Sequence, residues 1–221
     1  MIISGIGTLN ITAFPKKELT AADFQKEYGH DDRMKEPNYV VSLHEEDVES
    51  VEEGFLDFFP NMYKIIIPPN VKKIGISENL AKMLSQNKVI IRGEFDSLAE
   101  EIAQKYHLTF IPMDIELAST GDYFGHGFDV ITLRFLDDGT AMIRQDELCQ
   151  GSSAGSSLGG VIDLDINWDF FTEANVQERI ADMCWGNCRE LIRQCEALKV
   201  FLEKANKKYE SCKHSKLIIN Y

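Results

Sequence analysis

Short apolar runs recur through the first half of the chain at nearly constant spacing. Val40-Val41-Ser42-Leu43, Ile65-Ile66-Ile67 and Val89-Ile90-Ile91 advance by 24 positions, from Val41 to Ile65 and from Ile65 to Val89. Each run has the length of one short strand. Between them a second pattern keeps a step of 23, aligning Val48 with Val71 and Val51 with Ile74. A fixed period of about 20–29 residues with one strand per unit marks a solenoid, because a single unit cannot bury its own apolar face and must stack on the next. The pattern predicts three parallel strands side by side. Phe55, Phe58, Phe59 and Met62 in the first unit, and Leu80, Met83 and Leu84 in the second, would fill the space behind them.

The flanking segments follow other periods. Ile2, Ile6, Leu9, Ile11 and Phe14 suit an opening strand or two, and Pro15 ends them. Leu19 to Tyr28 reads as a short helix capped by Thr20 and stopped by Gly29, so residues 1–39 are expected to cap the array, with His30-Asp31-Asp32-Arg33 as a surface loop. A domain boundary is expected near Ala118, dividing a repeat domain (40–117) from a second domain (118–221). Gly121 to Gly127 reads as a glycine-rich linker or loop. Beyond it, Val130 to Leu136 and Thr140 to Arg144 flank Asp137-Asp138-Gly139, a strong hairpin signal. Gln150 to Gly160 is a Gly/Ser-rich connector, and Val161 to Ile166 is a third strand with Ile162, Leu164 and Ile166 on one face.

From Thr172 the pattern becomes helical. Cys184, Cys188, Leu191, Cys195, Leu198, Leu202, Ala205 and Tyr209 keep heptad spacing, which predicts one long helix whose thin seam packs on the hairpin sheet or against a second copy of the chain. Leu217-Ile218-Ile219 is a final strand or apolar tail that docks on the sheet. The fold class is therefore α/β, a short parallel array followed by a small antiparallel sheet with a long C-terminal helix.

The repeat residues carry a family likeness. Val48-x-x-Val51-x-x-Gly54-Phe55, followed by Phe59-Pro60-Asn61-Met62-x-x-Ile65-x-Ile67-Pro68-x-x-Val71-x-x-Ile74-Gly75, resembles the bacterial surface-antigen (BspA-like) class of leucine-rich repeats. Ser97 to Pro112 follows the small helix and last strand with which such arrays end. The likeness covers about a third of the chain, roughly residues 40–112. It departs from the family after Gly75, where Ile76 to Leu84 reads as an ordinary helix. What the resemblance implies is a scaffold for binding other proteins, with no catalytic residues to carry over.

Charge narrows the partner. A formal net charge of −13 repels a phosphate backbone, and no basic stripe is visible, which sets nucleic acid aside. The same charge suits a basic protein partner, through complementary steering, as in an acidic immunity or inhibitor-type protein. Glu45, Glu46, Asp47, Glu49 and Glu52, beside the first repeat strand, are the candidate binding residues. Met1 to Gly7 has neither a basic residue nor a long apolar run, so it reads as neither export signal nor membrane span, and a cytoplasmic location is expected.

The chemistry-bearing residues are few. Five cysteines in a chain with no recognised export signal argue for free thiols. Cys184 and Cys188 would lie one helical turn apart, but Cys195 would lie about 10 Å further along, too far for one metal with bonds near ~2.3 Å. Asp122, His126 and Asp129, in the glycine-rich loop, are the weak metal candidate and the basis of the alternative reading as a metal-dependent hydrolase. Gly151 to Gly160 lacks the ending of a P-loop, and Asp163, Asp165 and Asp169 are explained in part by strand alternation. No nucleophile motif is present. The expectation is a non-enzymatic protein-binding module without a cofactor.

Overall fold

The fold was analysed in a computed structural model, which describes residues 2–4, 8–10, 17–22, 25, 39–43, 48–122, 127–148, 160–162, 176–183, 188–212, 217 and 219–220. The chain is an α/β protein and divides into two compact units, Met1–Pro112 with Ile219–Tyr221, and Met113–Ile218.

In the first unit the even spacing becomes a parallel ladder. Strands β4 (Tyr39–Ser42), β6 (Met62–Ile66), β8 (Ile90–Gly93) and β9 (Thr109–Pro112) lie side by side and parallel. Their shared inward row is Val41, Ile65, Ile91 and Phe110, all almost fully buried. The step between rungs drifts for identifiable reasons. Tyr39 pairs with Met62 but Val40 with Lys64, so a bulge at Tyr63 changes the step from 23 to 24. Ile65 pairs with Ile91, two residues beyond the Val89 that a constant step requires. The longer coil contains helix α1 (Glu78–Gln86), whereas the described part of the preceding coil has a 3-10 turn (Leu56–Phe58). A shift of two keeps the same face inward, and Val89 and Ile91 are both buried.

A second parallel ladder closes the other side of the coils. Strands β3 (Glu18–Leu19), β5 (Ser50–Val51) and β7 (Lys73–Ile74) align Leu19 with Val51 and Val51 with Ile74. The 23-residue step is thus a real rung. Leu19 is a strand residue and not the start of a helix; of the expected Leu19 to Tyr28 helix, the helical residues described are Ala21, Ala22 and Gln25. β3, which lies before residue 40, is part of the array itself, because it continues the ladder of β5 and β7. Ahead of it, β1 (Ile2–Ser4) and β2 (Thr8–Asn10) form an antiparallel pair that adds to β4.

The turns and crossings follow from particular residues. After β6, Val71 N–H closes on Pro68 O at 3.2 Å, with Pro69 at the position where a fixed φ favours a turn. A Cβ on Gly75 would lie 2.3 Å from the Glu53 amide nitrogen, so two coils can cross this closely only at glycine. Ser77 caps α1 by accepting from Leu80 N–H at 3.0 Å while its hydroxyl donates to Asp57 of the preceding coil at 2.7 Å. The core between the ladders holds Phe55, Phe59, Met62, Leu80 and Leu84, with Phe55 and Phe59 rings 5.9 Å apart. Phe58 and Met83 are half-buried at its margin. The array ends in helix α2 (Leu98–Tyr106) and β9, as the sequence predicts. Glu100 of that helix is buried and accepts from Asp96 N–H at 2.7 Å, satisfying a backbone donor at the helix start.

The second unit is an antiparallel sheet with helices. Its strands β10 (Ile115–Asp122), β11 (Gly127–Phe135), β12 (Ala141–Leu148) and β13 (Gly160–Ile162) pair in chain order. Ala118, near the expected boundary, is inside β10, and the units divide at Pro112 instead. β10 carries a bulge between Glu116 and Ala118, which lets the consecutive residues Leu117 and Ala118 both be buried. The Asp-Asp-Gly turn forms where expected: Gly139 has φ +80°, and Asp138 accepts from Thr140 N–H at 2.9 Å and from its hydroxyl at 2.7 Å. Residues 163–166 of the third expected strand lie outside the described residues.

The expected long helix is three shorter ones, α3 (Val176–Met183), α4 (Cys188–Gln194) and α5 (Glu196–Cys212). Residues 184–187, between the first two, lie outside the described residues. At Cys195 the backbone N–H bonds to Ile192 O at 3.1 Å, one residue short of the helical span, and the thiol reaches Glu116 O on β10 at 3.5 Å. The break rotates the stripe: Leu191, expected on the seam, is 41 % exposed, while Ile192 is fully buried. Leu198, Leu202 and Ala205 are buried as the heptad predicts, and Phe201 joins them by stacking on Phe135 at 5.1 Å. The final strand β14 (Ile219–Asn220) docks beside β9 of the first unit and not on the hairpin sheet.

Candidate functional site

Two of the acidic candidates, Glu49 and Glu52, flank β5 in the second ladder. Glu49 N–H donates to Lys17 O at 2.8 Å, and Glu49 O accepts from Lys72 N–H at 2.7 Å, so its backbone links three successive coils. Its carboxylate accepts from Lys17 Nζ at 2.7 Å, with both side chains mostly exposed. Glu52 N–H donates to Leu19 O at 2.8 Å, and its Oε2 accepts from Ala21 N–H at 3.0 Å. The structure thus brings Glu49 and Glu52 to one rung. Glu45, Glu46 and Asp47 lie outside the described residues.

These contacts change what the two glutamates can do. Each spends part of its hydrogen-bonding capacity fastening the first coil to the second, and an exposed ion pair such as Lys17 with Glu49 contributes at most about 1 kcal/mol. Lys17, Glu49 and Lys72 stand on successive coils joined by backbone bonds, with an ion pair between Lys17 and Glu49, while the Lys72 ammonium donates to Pro69 O and Lys73 lies on the edge strand β7. Sequence reasoning missed Lys17 and Lys72 as partners of Glu49. The available signal was the charged residue two places before the aliphatic position in Lys17-Glu18-Leu19, Glu49-Ser50-Val51 and Lys72-Lys73-Ile74.

The face of the longer ladder behaves differently from an open recognition surface. Its outward rows are Val40, Lys64 and Ile90, and Ser42, Ile66, Arg92 and Ile111. Val40, Ser42, Lys64 and Ile111 in these rows are 0–9 % exposed, and Ile66, Ile90 and Arg92 are half-buried. Lys64 Nζ sits 5.4 Å from the centre of the Tyr63 ring, and Arg92 donates to Pro112 O at 3.3 Å. The array's exposed charge lies off the sheet face, on Glu49 and Glu52 beside β5 and also on α1 (Glu78, Lys82) and α2 (Glu101, Lys105).

Of the Asp122, His126 and Asp129 candidates, the structure places Asp122 and Asp129 on strands. Gly121, Asp122 and Gly127 are strand residues; Asp122 pairs with Gly127 and Thr120 with Asp129, so β10 and β11 form a hairpin with residues 123–126 between them. His126 lies outside the described residues, as do His30, Cys184, Asp163, Asp165 and Asp169. Among the described residues no group of three or more His, Cys, Asp or Glu side chains could hold a metal ion. Cys188 is a buried reduced cysteine and Cys195 a half-buried one. Among the described residues, no helix is long and apolar enough to cross a membrane.

Comparison with protein-family models, curated proteins and solved structures finds no match for the chain.

Proposed function

We propose that the chain is a non-enzymatic protein-binding module built on a short array of the surface-antigen (BspA-like) leucine-rich-repeat type, and that its partner is a basic protein. The observation that carries the reading is the pair of parallel ladders, Val41 to Phe110 on one side and Leu19 to Ile74 on the other. A stack of coils of this kind holds its connections in fixed relative positions, which favours recognition of a large partner surface. Fold alone leaves function open, so charge supplies the chemistry. The net charge of −13 and the exposed Glu49 and Glu52 favour a cationic partner, as in an immunity or inhibitor-type protein that masks a basic toxin or nuclease.

The test begins with recovery of partners from lysate of the source organism, followed by affinity measurement across a salt series. Binding to a basic partner that weakens several-fold between about 0.05 and 0.5 M salt is expected, because exposed charges are screened over about 10 Å at 0.1 M. Reversing Glu49 and Glu52 to lysine should weaken it further while the far-ultraviolet circular dichroism is kept. An affinity indifferent to both salt and charge reversal would contradict the proposal.

A further inference from the structure

The parallel ladder has two ends, and they are finished differently. At one, the β1–β2 pair adds to β4. At the other, β9 is the last rung, and a last strand presents backbone N–H and C=O groups that serve as a template for one more strand. Here that edge is taken by the chain's own residues Ile219 and Asn220, which pair antiparallel to β9 with Ile219 opposite Phe110 and Asn220 opposite Thr109. Among the described residues two pairs hold β14, against four between β4 and β6. The edge also has a defined preference. Phe110 is fully buried, its ring 5.7 Å from that of Phe95, so the register position beside it belongs to the apolar side of the sheet; Thr109 is half-buried.

We propose that the outer edge of β9 is a docking edge for an extended segment of a partner protein, and that β14 is its displaceable occupant. This deepens, and rests on, the protein-binding reading above. The segment it fits runs antiparallel to β9, with an aliphatic residue opposite Phe110 and a small polar residue opposite Thr109. Backbone pairing supplies affinity and the alternate side chains supply selectivity, as in strand addition generally. Tethering gives β14 an effective concentration on the order of mM, so the intact chain resists weak binders and yields to segments with longer pairing.

The test uses the full-length chain, its full-length variant Ile219→Asp, and a labelled synthetic peptide with the sequence of residues 215–221. A carboxylate placed beside Phe110 should release β14. The variant is then expected to bind the peptide saturably and at least about tenfold tighter than the unaltered chain, by removal of the tethered competitor. The same peptide with proline in place of Ile219 should not bind. Equal binding to both chains, or binding that tolerates the proline, overturns the proposal. Should the variant fail to fold, hydrogen exchange on the unaltered chain decides: the amides of β14 are expected to exchange at least about tenfold faster than those of β8 by local opening, and equal protection overturns it. If these results are negative while salt-sensitive binding to a basic partner persists, the docking edge falls and the protein-binding reading stands.

Discussion

The two units solve the pairing of strands in opposite ways. In the hairpin sheet Phe135 pairs with Ala141 across a single turn, so β11 and β12 find each other locally. In the array Val41 pairs with Ile65, and Ile65 with Ile91, each across a whole coil. A hairpin can be specified by its own turn, whereas a rung in the array stays dry only when its neighbours are in place. Lesions in the array should therefore spread along it, and lesions in the hairpin should stay nearer home.

The largest expected effect is from Phe59→Ala. This ring is fully buried between the ladders, and its loss should cost about 3–5 kcal/mol. Phe135→Ala in the other unit should cost a similar amount, since Phe135 is 2 % exposed. Equilibrium denaturation followed by residue-resolved hydrogen exchange separates the two: the first should lower protection in β4, β6 and β8 together, the second chiefly within β10 to β12. Equal spread in both would break the comparison.

Gly75→Ala is next. Its Cβ would meet Glu53 backbone at 2.3–2.6 Å, and forcing the coils apart should cost about 1–3 kcal/mol. At Gly54, by contrast, nothing lies within 4 Å, and alanine there should cost about 1–2 kcal/mol through its positive φ alone. Structural change reaching β5 and β7 in the first variant and not in the second, read from amide chemical shifts, would sharpen the case for a steric crossing. Ser77→Ala should cost about 1 kcal/mol by removing the cap of α1 and the bond to Asp57. The smallest effect belongs to Glu49→Gln, which should change stability by less than about 1 kcal/mol, because Lys17 and Glu49 are both largely exposed. A larger loss in thermal denaturation would show that the Lys17–Glu49 pair matters more to the coils than solvent screening allows.

Much of the fold was legible because it is written as spacing. The rungs at Val41 and Ile65, the 23-residue step from Val51 to Ile74, the closing helix and strand, and the Asp-Asp-Gly turn all follow from the periods of apolar residues and from turn chemistry. The first coil was hidden because Leu19 stands 32 positions before Val51, and Thr20-Ala21-Ala22 has the local character of a helix start. Pairing with a distant partner takes Leu19 into a strand, and the helical character begins just after it, at Ala21 and Ala22. β10 was hidden as well. Its bulge places Leu117 and Ala118 together on the buried side and breaks the alternation that marks a half-buried strand. The helix break at Cys195 leaves no Gly or Pro in the sequence; it accompanies a contact with Glu116, 79 positions away.

The candidate site was less legible than the fold. Acidic residues can be counted in a sequence, but their partners cannot, and Glu49 and Glu52 turn out to be engaged with Lys17 and Ala21 of the coil that the period did not reveal. The burial of Val40, Ser42 and Lys64 on the outward face was hidden for the same kind of reason, since alternation alone assigns such positions to solvent.

The most direct test of the stacked coils is nuclear magnetic resonance of isotopically labelled protein, reading cross-strand contacts between backbone protons. Contacts linking Leu19 to Val51 and Val51 to Ile74, together with Val41 to Ile65 and Ile65 to Ile91, all in the parallel pattern, are the predicted result. Antiparallel contacts among these residues, or Leu19 with no contact to Val51, would contradict it.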